Sequence, residues 1–175
     1  MTEVTAHDQT DFADDERPWT LNLAIRLIVV MIIAGAFTLV LLIIRHDDLI
    51  TVWAQGNPAV REILETRGLQ AVKDGSIPPP RFIPVGITEF IVLAGLTGIL
   101  AVFLRNGFEW ARIGITLLLF FAAVAGIAGF RVGQPGVFTV CAVGMLVLAI
   151  ALMVPLWHPL TTAYIHPREP DPLER

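Results

Sequence analysis

LIVVMIIAGAFTLVLLII, residues 27–44, is an unbroken apolar run without a single charge. Wound as an α-helix at about 1.5 Å per residue, its eighteen residues extend about 27 Å, close to the roughly 30 Å hydrocarbon thickness of a bilayer. Residues 21–25 lengthen the run on its N-terminal side. The preceding flank is acidic rather than basic, the apolar stretch is longer than a signal peptide needs, and no Ala-x-Ala site follows before Arg45. The run therefore reads as a retained membrane span.

Three further blocks follow the same pattern. Residues 82–104 are interrupted only by Glu89, while residues 113–130 and 136–157 carry no charge at all. A backbone in hydrocarbon must pair its own amides, so isolated segments of this length are expected as helices, and the alternation of a membrane strand is absent. Composition agrees: 55% of residues are hydrophobic and 16% charged, with a mean hydropathy of +0.70. An ordinary soluble domain has about 25% charged residues. The expectation is an all-α transmembrane four-helix bundle, with spans at about 20–44, 82–104, 113–130 and 136–157.

Outside the spans lie an acidic tail, 1–19, expected to be disordered, a loop, 45–81, and a polar C-terminal tail, 158–175. Glu3, Asp8, Asp11, Asp14, Asp15 and Glu16 crowd the first tail and account for most of the formal net charge of -4. No basic patch suggests nucleic acid as a partner. Cys141, the sole cysteine, excludes an internal disulfide and reads as a small packing residue within the fourth span.

The loop between the first two spans is well punctuated. Asn57 reads as an N-cap, Pro58 takes the first helical position, Val60, Ile63 and Leu64 make an apolar stripe, and Gly68 supplies a stop. A short helix over 58–67 follows, with helical spacing also in Leu49, Val52 and Trp53. Pro78, Pro79 and Pro80 impose an extended approach to the second span. The loop is expected to cap its own bundle or, less simply, to dock a partner.

Small residues recur four apart within the spans: Ala94 with Gly98, Ala122 with Gly126, Ala125 with Gly129. Such spacing lets helices approach closely, either inside one bundle or at a dimer interface. The two short connections, 105–112 and 131–135, make their helices antiparallel neighbours.

Four spans put both termini on one side. Arg17, Arg26, Arg105, Arg112, Arg168 and Arg175 then balance Arg45, Arg61, Arg67, Lys73, Arg81 and Arg131, so basic residues alone give no orientation. Counting only those nearest the membrane favours cytoplasmic termini. Trp19, Trp110 and Trp157 fall at the same face, as an interfacial aromatic belt would.

Two ionisable residues enter the spans. Arg26 lies near the start of the first, where its long side chain snorkels to the terminal face. Glu89, two turns into the second, is the candidate functional residue, because a carboxylate turned toward the bundle binds a cation or relays a proton. No cofactor or metal site is expected. His46 and His158 end different spans on opposite faces and make no axial haem pair, and the adjacent His46, Asp47 and Asp48 diverge around a helix. No G-x-S-x-G, H-E-x-x-H, Walker loop or dinucleotide fingerprint occurs, so nothing speaks for an enzyme.

The order of parts carries a resemblance. Arg105-Asn106-Gly107 closes the second span, Glu109-Trp110-Ala111-Arg112 opens the third, and Trp157-His158-Pro159 leads into Thr162-Ala163-Tyr164. This resembles the small four-span integral membrane proteins of actinobacteria, in which a short basic turn with Trp-Ala-Arg precedes the third helix. The resemblance covers most of the chain and implies topology, with basic turn and both termini in the cytoplasm, but no activity. Glu109 departs from a turn that is usually more basic. The expected role is that of a plasma-membrane accessory or scaffolding subunit, non-enzymatic, whose partners are the lipid bilayer and another membrane protein. The alternative is a homo-oligomeric small transporter or channel with Glu89 in its pathway.

Overall fold

A computed structural model describes residues 18–166, apart from the side chains of 131 and 132. The expected disorder of the acidic tail lies outside the described residues. Seven helices follow in order: α1 (Trp19–Ile44), α2 (His46–Gly56), α3 (Pro58–Lys73), α4 (Phe82–Arg105), α5 (Glu109–Val132), α6 (Gly136–Leu156) and α7 (Pro159–Ile165). Among the described residues there is no strand. Four helices, α1, α4, α5 and α6, are long and apolar enough to cross a membrane. Their outward faces leave large side chains such as Ile33, Phe37, Phe121, Val140 and Val154 exposed, a surface that water does not tolerate at this scale.

Proline and glycine set the breaks. Pro58 forces Asn57 into an extended conformation (φ −105°, ψ 108°), and the Asn57 side chain accepts a hydrogen bond of 3.1 Å from Ala59 N–H, capping α3. Gly68, at φ +80°, interrupts α3 with a backbone conformation only glycine adopts easily, and the helix resumes to Lys73. Between α4 and α5, Gly107 (φ +81°) permits a Schellman turn, in which Phe108 N–H bonds Phe103 C=O at 3.1 Å and Gly107 N–H bonds Leu104 C=O at 3.0 Å.

Helices α2 and α3 fold back on each other over Ile50, Ala54, Val60 and Val72, with Trp53 and Phe82 packed alongside. Lys73 Nζ lies 2.7 Å from Asp47 Oδ1 and ties the end of α3 to the start of α2.

Helix α1 packs against both α6 and α4, and α5 joins the ring through α4 and, less closely, α6. The fully buried side chains gather at one end: Leu21, Ala24 and Ile28 of α1, Leu100 and Leu104 of α4, Ala111 and Ile115 of α5, Leu152 and Leu156 of α6. No α4 residue before Leu100 is buried, nor any described α5 side chain after Ile115. The four helices are thus tightly joined where the chain enters and leaves them; toward the α2–α3 end α5 draws away, while α1 and α4 stay close.

The small-residue pairs read from sequence contribute little to this packing. A Cβ built on Gly98 or Gly126 meets nothing within 4 Å. Close approach inside the chain falls instead to Gly86, whose Cβ would stand 2.9 Å from Leu42, Gly114, 3.0 Å from Leu100, and Gly35, 3.4 Å from Phe90. Four-residue spacing puts small residues on one face, but helix phase decides whether that face turns inward. The C-terminal segment differs from the expected polar tail as well: 159–165 form α7, folded against the joined end.

Candidate functional site

Helical spacing places Gly86, Glu89, Phe90, Leu93, Ala94 and Thr97 on one stripe of α4. Where the helices part, this stripe and matching residues of α1, α5 and α6 line a cleft of about 320 Å³. Its other walls include Met31, Gly35 and Leu39 of α1, Leu118 and Ala122 of α5 and Met145 of α6. Polar side chains are few. Thr38 donates its hydroxyl proton to Ala34 C=O at 2.9 Å, within its own helix. That leaves Thr97 and Glu89.

Glu89 is exposed along the edge of the cleft, and among the described residues it makes no hydrogen bond and no ion pair. Of the loop cations, Arg45 Nη1 pairs with Asp48 at 3.1 Å, Lys73 with Asp47, and Arg61 Nε with Gln55 C=O at 2.7 Å, while Arg81, at the start of α4, makes no ion pair with Glu89. Arg26 is exposed on α1, near the opposite end.

The joined end carries a polar network that sequence reading did not assemble. Arg112, counted there only as a basic flank, is 4% exposed. Its Nη1 donates to Thr162 Oγ1 at 2.9 Å, its Nη2 lies 3.4 Å from Glu109 Oε1, and its guanidinium stacks 4.2 Å from the centre of the Trp157 ring. The Nε–H is buried without a partner. Trp157 Nε1–H donates to Thr116 Oγ1 at 3.1 Å, and Thr116 in turn donates to Arg112 C=O at 2.9 Å. His166 Nε2 stands 3.1 Å from Glu109 Oε2.

Helix α7 completes the ends of two longer helices. The partner that Pro155 C=O would find four residues on is Pro159, which has no N–H, and the Thr161 hydroxyl fills the place by donating at 2.8 Å. Thr161 then accepts from the Thr20 hydroxyl, also at 2.8 Å, so two buried hydroxyls link α1 and α7 to a carbonyl of α6. Tyr164 O–H donates to Arg105 C=O at 3.2 Å, satisfying a carbonyl at the end of α4. The signal for α7 was legible: His158-Pro159 repeats the cap-then-proline pattern of Asn57-Pro58, and His158 Nδ1 accepts from Leu160 N–H at 3.2 Å.

No family model, curated protein or solved structure matches the chain. Its own geometry therefore carries the functional argument.

Three of the four tryptophans gather at the joined end, while Trp53 packs between α2 and α3. Trp19 lies 5.9 Å from the His158 ring, Trp110 4.8 Å from Phe103, and Trp157 over Arg112. His46 packs beside Phe82 near the loop and His158 beside Trp19, far from each other along α1. Among the described residues no three His, Cys, Asp or Glu side chains converge on a common point. Cys141 is half-buried on α6. In the loop, the hydrogen bond from Lys73 holds the Asp47 carboxyl below its ordinary pKa, with the Lys73 and His46 charges acting the same way against desolvation.

Proposed function

We propose that this chain is a non-enzymatic, multi-pass plasma-membrane protein, an accessory or scaffolding subunit that holds another membrane protein against a transmembrane four-helix bundle. In this reading both termini and the α4–α5 turn face the cytoplasm and α2 with α3 form an extracytoplasmic cap, as the resemblance to four-span actinobacterial proteins implies. The tryptophans at the joined end then mark the cytoplasmic interface.

One observation carries the reading. Gly98 of α4 and Gly144 of α6 have open space where a Cβ would stand, although glycine lowers helix stability by about 0.5–1 kcal/mol relative to alanine. Within the chain nothing uses their smallness. A helix from another protein, approaching closely across such positions, does.

Cross-linking in membranes before purification tests the proposal. A discrete heteromeric product that Gly98→Leu and Gly144→Leu abolish, with melting temperature unchanged, is expected; monomers alone across several detergents would contradict it. The second reading, a homo-oligomeric small transporter or channel, rests on Glu89, an unpaired carboxylate at an exposed edge. It calls for ion flux in liposomes that Glu89→Gln removes.

A further inference from the structure

We infer that the cleft between α1, α4, α5 and α6 is a binding site for one membrane lipid bearing a primary-amine headgroup, its acyl chain filling the apolar body and its ammonium meeting Glu89. The inference stands independently of the accessory role, since the glycines that carry that role do not line the cleft.

The cleft needs an apolar occupant. Its volume of about 320 Å³ is about ten times the roughly 30 Å³ share of a water molecule, yet a stable water needs two to four polar partners and the lining offers only Thr38, Thr97 and, at its edge, Glu89. Left empty, the walls forfeit their dispersion contacts. In a bilayer the apolar filler at hand is an acyl chain, and the cleft is open along an edge where Glu89, Leu93 and Ala122 are all exposed.

Glu89 selects the headgroup. It stands sixteen residues before Arg105 on α4, about 24 Å along the helix. If Arg105 marks one boundary of a hydrocarbon layer of roughly 30 Å, Glu89 lies about 6 Å beneath the other, within reach of headgroups. A carboxylate at that depth without a partner is costly, and no cation among the described residues, Arg81 at the start of α4 included, pairs with it. A primary ammonium brings charge and three N–H donors. A quaternary choline has no N–H to give, and a glycerol headgroup brings no positive charge.

The test is reconstitution of the full chain in nanodiscs containing equal parts of ethanolamine, choline and glycerol phospholipids. Lipids that stay with the protein on release are then counted by native mass spectrometry. The parent is expected to retain one ethanolamine lipid in preference to both others, and Glu89→Gln to lower that preference about tenfold, roughly 1.4 kcal/mol. Glu89→Asp, which keeps the charge, is expected to preserve it. Ala94→Phe and Ala122→Phe plug the cleft from opposite walls, and each is expected to abolish retention of all three lipids while the melting temperature holds. The proposal is overturned by a parent without headgroup preference, by a Glu89→Gln protein that selects as the parent does, by both plugged variants keeping their lipid, or by a second polypeptide in the lipid's place.

Discussion

The two ends of the long helices are built on opposite principles. At the joined end, Leu21, Leu104, Ile115 and Leu156 are buried, and two sets of hydrogen bonds tie the helices, Thr20 with Thr161 and Pro155 C=O across α1, α7 and α6, and Arg112 with Thr162 across α5 and α7. At the parted end, apolar residues of the same helices stand half-buried around a cleft with one unpaired carboxylate. The difference teaches where rigidity comes from in a chain this apolar. Hydrophobic side chains gain nothing by leaving lipid for one another, so close packing needs either small residues or polar groups that find no partner in hydrocarbon. The joined end has the polar groups. At the parted end Gly35 and Gly86 keep α1 and α4 close, and the room lies toward α5.

That contrast is broken most severely at Arg112. Replacing it with Met removes a charge-assisted hydrogen bond to Thr162, the contact with Glu109 and the stacking on Trp157, and is expected to cost about 3 kcal/mol, seen as a lower melting temperature in detergent. Lipid retention in the cleft should change far less. Thr161→Val acts next, because it leaves Pro155 C=O without a donor and the Thr20 hydroxyl without its acceptor. A loss of about 2 kcal/mol is expected by the same melting measurement.

The smallest effect belongs to the loop. Asp47 has a lowered pKa in the folded protein, so its contribution is present above the unfolded value and is lost as pH falls through the folded one. Asp47→Asn should loosen α3 from α2 at pH 7, read as faster amide exchange around Val72, and its difference from the parent should close below about pH 4. A difference that persists in acid would mean that geometry, not charge, joins Lys73 to Asp47.

How much of this was legible follows from which property each feature depends on. The four long helices depend on local hydropathy, and residues 27–44 alone settle the kind of segment involved. Helix α3 depends on local chemistry, and Asn57, Pro58 and Gly68 announce it, although its resumption to Lys73 needs the tertiary contact with Asp47. The joined end depends on helix phase and on residues up to 141 positions apart, such as Thr20 with Thr161, which one sequence does not relate. For the same reason Arg112 looked like a surface cation and Gly98 and Gly126 looked like packing positions. Glu89 was singled out by charge in an apolar run, but neither its cleft nor its lack of a partner was visible before the helices were placed.

The contrast between the ends is open to one direct measurement: relaxation of alanine and isoleucine methyls by dissolved oxygen, which concentrates in hydrocarbon, on the full chain in lipid nanodiscs. Ala122 at the cleft edge is expected to relax strongly and Ala24 and Ala111 hardly at all, with exposed Ile113, two residues from Ala111, relaxing strongly to control for depth. Oxygen reaching Ala111 and Ala24 as readily as Ile113, or failing to reach Ala122, would contradict a molecule closed at one end and open at the other.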